Sequence, residues 1–513
     1  MQPGVKKIIA AVVIIGLIAL FFFVPTNKDK SYREKYEGVN LSDEIEGIGR
    51  QNTYAKYLEA LSGQVRSKND IEVDLLNINA SEGTKILDEY EGEKNIVHTS
   101  EVSYVQWTVD VQESGLYQMY IEYYPVASRG VDIERKFYID GEIPFVGADT
   151  LSFPRLWADQ GEVKKDNQGN QIRPTQVENP KWIGSYFKDT MGYYVEPYVF
   201  YFEKGSHTIA LEAINEPLMI KSLTLKAVNE LKGYTSYRES GPEVTASEEG
   251  LNYKQVIQGE ASNLRTSPSL YATYDRSSSN TEPYSVSKIC LNIGGGNAWR
   301  VPGQWIEWEF SVPEDGYYNV TIKGRQNYQR GFVSNRALSI DGEVPFEELE
   351  EIAFRYSNEW ESITLSDQEA IPYEIYLTEG THTLRLEVTL GELGYILSGL
   401  EENLYRLNEI YRKILVLTGT TPDRFRDYKI DQVYPEVIEA MALESKRLFK
   451  VVDEIVAYSG QKASQVASAQ TLAVQLEEFV EDPAKIPVAL STFKDNISAL
   501  GTSILTMSEA PLD

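Results

Sequence analysis

The sequence predicts a multidomain protein with an N-terminal transmembrane helix, two all-β sandwiches in tandem and a C-terminal α-helical bundle. Three observations lead to this fold class. A long apolar run lies near the N-terminus, a set of strand-like blocks occurs twice, and apolar residues adopt a helical period towards the C-terminus. The predicted boundaries are 1–32 for the membrane anchor, 33–83 for a juxtamembrane segment, 84–230 for the first sandwich, 231–251 for a linker, 252–400 for the second sandwich and 401–513 for the bundle.

The apolar run covers residues 8–24 and follows Lys6 and Lys7. As a helix, it spans about 25 Å, which is near the lower limit for crossing a bilayer. Neither a small-residue cleavage site nor a nearby cysteine follows the run, which argues against a removed signal peptide and a lipid anchor. Positive charges lie on both sides, and the short N-terminal tail favours a cytoplasmic N-terminus. We therefore predict an uncleaved signal anchor in a single-pass protein of the cell membrane, with the bulk of the chain extracytoplasmic.

Composition excludes some classes of function. The 513 residues are 42% hydrophobic and 25% charged, as in proteins with folded cores. A net charge of −28 and the lack of a basic run argue against a nucleic-acid partner, which would need a positive face. The single cysteine, Cys290, excludes an intramolecular disulfide. The spacing of the three histidines does not indicate a zinc site.

Three blocks of sequence occur twice in the same order. Residues 107–117 match 308–318, residues 138–145 match 339–346, and residues 198–212 match 373–387. The interval from Trp107 to Asp140 equals the interval from Trp308 to Asp341. Equal spacing of matched blocks indicates a duplicated domain.

Each block has the pattern of β-strands joined by tight turns. Val105, Trp107 and Val109 alternate with polar residues, as expected for a half-buried strand. Asp-Gly pairs at 140–141 and 341–342 are hairpin signals. Short strands, regular turns and the lack of a helical period predict an antiparallel sandwich in each copy.

The order of these motifs resembles that of jelly-roll carbohydrate-binding modules of the family 6 and family 35 kind. The resemblance covers residues 84–227 and 252–400, and it implies two jelly-roll sandwiches in which residues 91–93 and 258–260 form the opening strand. In the family, a Glu of this strand helps to hold a structural calcium together with an Asp of the last strand. Glu93 and Glu260 are therefore the first candidates for a calcium site, although the last strands here lack that Asp.

In the C-terminal part, apolar residues recur with the period of amphipathic helices. Helix boundaries are predicted at Gly419, Pro435, Gly460, Pro483 and Pro487. Four helices joined by short turns predict a small bundle, either self-contained or used as an interaction surface.

The whole layout resembles the N-terminal half of large solute-binding proteins of sugar ABC importers in Paenibacillus-like bacteria. The resemblance rests on the order of an anchor, a helical segment with Tyr54 and Tyr57, two sandwich modules and helices. It implies an ABC permease as a partner. The two-lobed solute-binding domain of those proteins is missing from this sequence, which suggests an accessory or shortened component.

Aromatic residues outside the sandwich cores are the candidates for sugar contact, because saccharides stack on exposed ring faces. In the second copy these are Tyr271, Tyr274, Tyr284, Trp299 and Trp305. Trp305 has the opposite strand parity to Trp308, so it should face away from the core. In the first copy, a surface insertion between residues 149 and 193 contains Trp157 and Trp182. The alternative is that these rings seal the ends of the sandwiches.

No catalytic residue is predicted, since the sequence contains no nucleophile elbow, zinc-protease motif or Cys/His pairing. The first hypothesis is a membrane-anchored carbohydrate-binding protein with a poly- or oligosaccharide as its ligand. The second is a cell-envelope protein whose sandwiches bind protein, and the third is a polysaccharide-degrading enzyme. Loss of saccharide binding on Trp299→Ala or Trp305→Ala with an intact fold is the result that the first hypothesis predicts.

Overall fold

The computed structural model describes residues 31–460 and 463–513, apart from the side chain of Glu249. These residues form two β-sandwiches of the jelly-roll type and a helical bundle, in the order predicted from the sequence. The predicted signal anchor at residues 8–24 lies outside the described residues. Within the described ranges, no helix combines the length and the apolarity that a membrane span needs.

The described helices are α1 (Arg33–Tyr36), α2 (Tyr54–Ala60), α3 (Tyr234–Ser240), α4 (Glu248–Asn252), α5 (Glu392–Thr418), α6 (Ile430–Val433), α7 (Pro435–Ser459), α8 (Ala467–Glu481) and α9 (Lys485–Met507). Two 3₁₀ turns lie at Glu347–Leu349 and Ser464–Val466.

The strands of the first sandwich are β1 (Ile71–Glu72), β2 (Ile78–Tyr90), β3 (Glu93–Val111), β4 (Gly115–Pro125), β5 (Ile133–Ile139), β6 (Leu151–Phe153), β7 (Trp157–Asp159), β8 (Lys164–Lys165), β9 (Gln171–Ile172), β10 (Gln176–Glu178), β11 (Ile183–Tyr186), β12 (Val199–Phe202), β13 (Gly205–Ala213) and β14 (Leu218–Ala227). The order β11-β4-β14-β3-β13-β5-β6 places β14 between β4 and β3. The long β3 joins two parts of the sheet, because one half pairs with β14 and the other half with β13.

Alternate residues of the first sandwich fill its core. Along β4, Tyr117, Met119, Ile121 and Tyr123 are all buried. Trp107 is fully buried, and its indole N–H donates to the carbonyl oxygen of Leu75 at 3.1 Å. A buried polar atom needs a hydrogen-bond partner, and the carbonyl oxygen of Leu75 provides one. The whole Trp107 side chain can therefore be buried.

The strands of the second sandwich are β15 (Leu264–Arg265), β16 (Trp305–Val312), β17 (Gly316–Tyr318), β18 (Thr321–Gly324), β19 (Val333–Ile340), β20 (Ile352–Arg355), β21 (Glu361–Thr364), β22 (Ile375–Leu377) and β23 (Gly380–Thr389). The main sheet has the order β10-β7-β15-β16-β23-β19-β20. β7 and β10 come from the insertion of the first sandwich, so this insertion extends the sheet of the second sandwich.

The junction between the sandwiches is held by a buried arginine. Arg265 of β15 pairs with Trp157 of β7 in the sheet. Its guanidinium contacts the carboxylate of Asp159 at 3.1 Å and the amide oxygen of Gln176 at 2.9 Å. The insertion predicted in the first sandwich therefore makes contacts with the second sandwich.

A short helix precedes each sandwich and belongs to the duplicated unit. The Tyr54 hydroxyl of α2 accepts the backbone N–H of Val199 at 3.0 Å, and the Tyr234 hydroxyl of α3 accepts that of Glu374 at 3.2 Å. The Tyr234 ring lies 5.0 Å from the ring of Phe346. Residues 231–251, predicted as a linker, therefore include part of the second folded unit, because rings of α3 close one side of its core.

The bundle packs α5, α7, α8 and α9 around a dry core in which Leu407, Leu448, Leu472 and Phe493 are fully buried. α5 begins at Glu392, earlier than the predicted boundary at 401, because β23 passes directly into the helix through Gly391, whose φ is 57°. Four amphipathic helices were predicted here, and four form the bundle in the described residues.

The segment predicted to lie next to the membrane packs on the bundle and on the first sandwich. The Tyr32 ring lies 4.5 Å from the Phe449 ring, and the Tyr36 hydroxyl donates to Asp453 at 3.1 Å. Residues 33–83 are therefore part of the folded body, since α1 covers α7 and α2 covers the first sandwich.

The predicted opening strand is not formed at residues 258–260, and at residues 91–93 only Glu93 lies in a strand. Glu91 and Gly92 form the turn between β2 and β3, with φ of 46° and 81°, and Glu93 is the first residue of β3. Residues 258–260 lie outside any strand. Positive φ values at consecutive residues are typical of tight hairpin turns, and the Glu-Gly pair is suited to that conformation.

Candidate functional site

A cleft of about 310 Å³ lies at one end of the second sandwich. Residues 271–275 form one wall and the glycine-rich segment 293–298 forms another. Arg325, Tyr328 and Asp513 complete the lining. Two of the predicted sugar-contact residues, Tyr271 and Tyr274, are therefore in the cleft wall.

Backbone pairing holds these walls in place. Thr273 bridges to Ile293, and Gly296 bridges to Leu512. The backbone groups of Arg325 and Asp513 exchange two hydrogen bonds of 3.0 Å. Gly295 has a φ of 96°, and a Cβ there would lie 2.6 Å from the Trp299 ring. Glycine is therefore required where the chain passes over Trp299.

A compact polar cluster lies at the base of the cleft. The guanidinium of Arg325 contacts the carboxylates of Asp275 at 2.9 Å and Asp513 at 2.6 Å. The indole N–H of Trp360 donates to Asp275 at 3.2 Å, and the phenol of Tyr328 donates to Asp513 at 2.5 Å. Each of these side chains bonds to at least one other side chain of the cluster, which fixes the positions of its donors and acceptors.

The electrostatics of the cluster fix its protonation. Burial opposes the charge on Asp275, but hydrogen bonds from Ser277 and Trp360 and the charge of Arg325 bring its pKa below the usual value. Burial and the hydrogen bond to Asp513 raise the pKa of Tyr328. Near neutral pH, the Asp275 carboxylate is therefore charged and the Tyr328 phenol is neutral.

Aromatic rings lie above this polar base. Tyr274 is 45% exposed and Tyr328 is 41% exposed, whereas Tyr271 is half-buried. The guanidinium of Arg173 stacks over the Tyr271 ring at 3.6 Å, so one face of that ring is covered. Partly exposed rings beside hydrogen-bonding groups give a surface that can stack on an apolar face and orient hydroxyl groups.

Trp299 and Trp305 are not the exposed platforms that the sequence suggested. Trp299 is 3% exposed, with the Arg336 guanidinium 4.1 Å from its ring centroid. Trp305 is 4% exposed and packs with Leu156 and Leu264. The parity argument holds for Trp305, which lies outside the core that contains Trp308. The opposite face of the strand is covered because the insertion of the first sandwich packs on it.

The other aromatic candidates lie outside the cleft. Trp157 is half-buried in the junction between the sandwiches. The indole N–H of Trp182 donates to the carbonyl oxygen of Glu91 at 3.2 Å, at the tip of the β2–β3 hairpin. Tyr284 is 39% exposed. Sugar contact by these three residues stays a prediction.

The two calcium candidates differ in their surroundings. Glu93 forms an ion pair with Lys221 at 3.2 Å, so the cation beside this carboxylate is a lysine side chain of the protein. Burial raises the pKa of Glu260 to about 7. In the parts of the chain that the structure describes, no group of three or more His, Cys, Asp and Glu residues is arranged to hold a metal.

Four polar residues that line the cleft were not singled out from the sequence: Asp275, Arg325, Tyr328 and Asp513. Trp360, which donates to Asp275, was not singled out either. The sequence search covered aromatics before the first long strand of the second copy, whereas Arg325, Tyr328 and Trp360 follow that strand. Tyr328 is an aromatic residue in a polar segment after β18, and this pattern could have identified it from the sequence. Asp513 carried no such signal, because its partner Arg325 is 188 positions away.

Residues 395–507 match the family model described as "Bacterial solute-binding protein, 4-helix bundle domain". This match corresponds to the bundle formed by α5 to α9 and covers less than half of the chain. No curated protein matches the sequence.

Several solved carbohydrate-binding modules are similar to part of the chain. A family 35 module from Clostridium thermocellum is 12% identical, with 31% of this chain and 100% of that chain covered and a TM-score of 0.21. A family 35 module from Cellvibrio japonicus is 16% identical, with 31% and 93% covered and a TM-score of 0.20. The C-terminal family 6 module of a laminarinase from Zobellia galactanivorans is 16% identical, with 31% and 99% covered and a TM-score of 0.18.

Proposed function

We propose that the protein is a non-catalytic carbohydrate-binding protein held at the outer face of a bacterial cell membrane. The observation that carries the proposal is the cleft of the second sandwich. There the partly exposed rings of Tyr274 and Tyr328 lie beside the fixed polar cluster around Arg325.

The chemistry of the cleft suits an oligosaccharide or a segment of a polysaccharide. Sugar rings carry apolar C–H faces that stack on aromatic side chains, and hydroxyl groups that need directed donors and acceptors. The carboxylates of Asp275 and Asp513 are each engaged by Arg325, so a ligand would meet groups that are already oriented. Oriented groups lose little conformational entropy on binding, which favours affinity.

The rest of the chain supports a role beside a sugar importer. The match of residues 395–507 to a bundle domain of bacterial solute-binding proteins is the basis for this step. The apolar run at residues 8–24 would anchor the chain in the membrane. In this arrangement the protein would hold saccharide near an ABC permease.

The test is saccharide binding by the full chain, purified in detergent and screened against plant, fungal and bacterial oligosaccharides. Tyr274→Ala removes an exposed ring from the cleft wall and should weaken binding roughly tenfold or more, which corresponds to about 1.4 kcal/mol. Phe425→Ala is the control, because this aromatic ring is fully exposed in the loop between α5 and α6, outside the cleft lining. It should leave affinity unchanged.

Binding that is weakened in the Tyr274 variant and kept in the Phe425 variant supports the proposal. Absence of binding across the screen refutes it and favours the envelope-interaction hypothesis, which a pull-down of protein partners would then examine. Release of shortened products from a bound polysaccharide would contradict the non-catalytic part of the proposal.

A further inference from the structure

The outer edge of β2 carries unpaired backbone groups. β2 pairs with β3, and in the part of the chain that the structure describes no other strand or loop forms a backbone hydrogen bond with residues 85–89. A two-residue turn closes this hairpin at the pair of Tyr90 and Glu93. Such a turn follows a hydrogen-bonded pair, and hydrogen-bonded pairs alternate with non-hydrogen-bonded pairs along an antiparallel ladder. The N–H and C=O groups of Lys85, Leu87 and Glu89 therefore point away from β3.

The side chains of these three edge residues share one face of the hairpin, because alternate residues of a strand point the same way. Lys85 and Glu89 are exposed, and Leu87 between them is half-buried. Across the hairpin, Ile96 lies opposite Leu87 and Lys94 lies opposite Glu89. Ile96 is fully buried. The edge is therefore apolar in the middle and carries opposite charges at its two ends.

This order of charges makes the edge complementary to a second copy of itself. Two identical antiparallel strands are related by a two-fold axis, so the residue on the axis faces its own copy. With the axis at Leu87, Lys85 of each copy lies opposite Glu89 of the other. With the axis at Ile86, no opposite charges face each other, and with the axis at Asp88, two aspartates do.

The axis at Leu87 also satisfies the free backbone groups. The residues that then face each other are those whose N–H and C=O groups point outward, so each facing pair exchanges both of its hydrogen bonds. A lysine on an edge strand usually discourages the addition of another strand. Here Glu89 of the other copy lies directly opposite Lys85, and opposite charges at such positions stabilise a strand pair.

We propose that the protein forms a two-fold dimer in which the β2 strands of two copies pair in antiparallel fashion about Leu87. The pairing joins the two first sandwiches through one continuous sheet. Its centre is the contact between the two Leu87 side chains, and a pair of Lys85 with Glu89 lies on each side of that centre.

The experiment measures sedimentation of the full chain in detergent over a range of protein concentrations, in about 0.15 M salt to screen the repulsion between two acidic chains. Lys85→Glu or Glu89→Lys places like charges opposite each other at both ends of the edge. Each single variant should weaken dimerisation roughly tenfold or more. An equimolar mixture of the two variants restores opposite charges at both positions and should form a heterodimer.

Lys254→Glu is the matched control, because it makes the same change of charge at an exposed residue outside the first sandwich. Hydrogen exchange gives a local measurement in the same samples. The amide of Leu87 should exchange more slowly as the protein concentration rises, because the other copy then accepts its hydrogen bond.

Dimers that each single reversal weakens, that the mixture restores and that protect Leu87 support the proposal. A monomer at every concentration overturns it. A dimer that neither reversal weakens, or that Lys254→Glu weakens equally, also overturns it, because the contact then lies elsewhere. Failure of the mixture to restore the dimer overturns the register about Leu87.

Discussion

Trp305→Ala separates the two interpretations of this tryptophan. Its indole is 4% exposed and packs with Leu156 of the first sandwich and Leu264 of the second. The guanidinium of Arg385 stacks on its ring at 3.7 Å. If Trp305 joins the two sandwiches, its truncation must weaken that junction.

The magnitude follows from the burial. Replacing a buried Trp by Ala costs about 3–5 kcal/mol, and the cost is lowest where the surroundings can close around the cavity. Trp305 packs in a small cluster with Leu156 and Leu264 rather than in the main core of either sandwich, so the lower end of about 3 kcal/mol applies. Such a loss raises the population of the opened junction by roughly 10²-fold.

Hydrogen exchange detected by mass spectrometry is the suitable assay, because a multidomain chain has no single free energy of unfolding. Peptides that contain β7 and β15 should exchange roughly 10²-fold faster in Trp305→Ala. Tyr284→Ala is the control, since a change at this exposed residue should alter stability by no more than about 0.5 kcal/mol. Unchanged exchange at β7 and β15, together with lost saccharide binding, would refute the junction role and restore the exposed-platform hypothesis.

Further predictions concern the histidines and the paired tyrosines. In an NMR titration, the midpoints of His207 and His382 should lie above that of His98. Burial works against protonation of His207 and His382, but the hydrogen bonds of each to a carbonyl oxygen and to Asp140 or Asp341 raise their pKa values above 6.5, whereas burial lowers that of His98. Because the folded-state pKa values of His207 and His382 are raised, their contribution to stability is complete below pH 6.5 and is lost as the pH rises through the folded values. Asp341→Asn should lower the midpoint of His382 alone, and an unchanged midpoint would show that the carboxylate is not responsible. Tyr54→Phe and Tyr234→Phe each remove the acceptor of a partly buried backbone N–H and should each destabilise their own sandwich by about 1 kcal/mol, seen as faster local hydrogen exchange. A loss of stability in only one of the two variants would argue against equivalent roles for Tyr54 and Tyr234.

Local patterns were sufficient to predict most strands and helices. The equal interval between Trp107 and Asp140 in one copy and Trp308 and Asp341 in the other established the duplication without any structure. Tyr271 and Tyr274 were correctly expected in a polar loop, because loop composition is a local property. Their contact with saccharide stays a prediction.

The same local patterns did not predict which aromatic side chains are exposed to solvent. Strand parity correctly predicted that Trp305 points away from Trp308, but parity cannot say what lies on the far side of a sheet. That side is covered by Leu156, which belongs to the other sandwich. Burial is a property of packed surfaces, and those surfaces come from distant parts of the chain.

The sequence by itself therefore determined the order of the units, the duplication within them and the helical period of the bundle, since each depends on residues close together in the chain. Only the tertiary structure decided that the insertion of the first sandwich covers Trp305. Only the tertiary structure placed Asp513 against Arg325 and returned the chain from the bundle to the second sandwich. The physical reason is that these contacts join residues far apart in sequence, whose proximity depends on how all of the units pack.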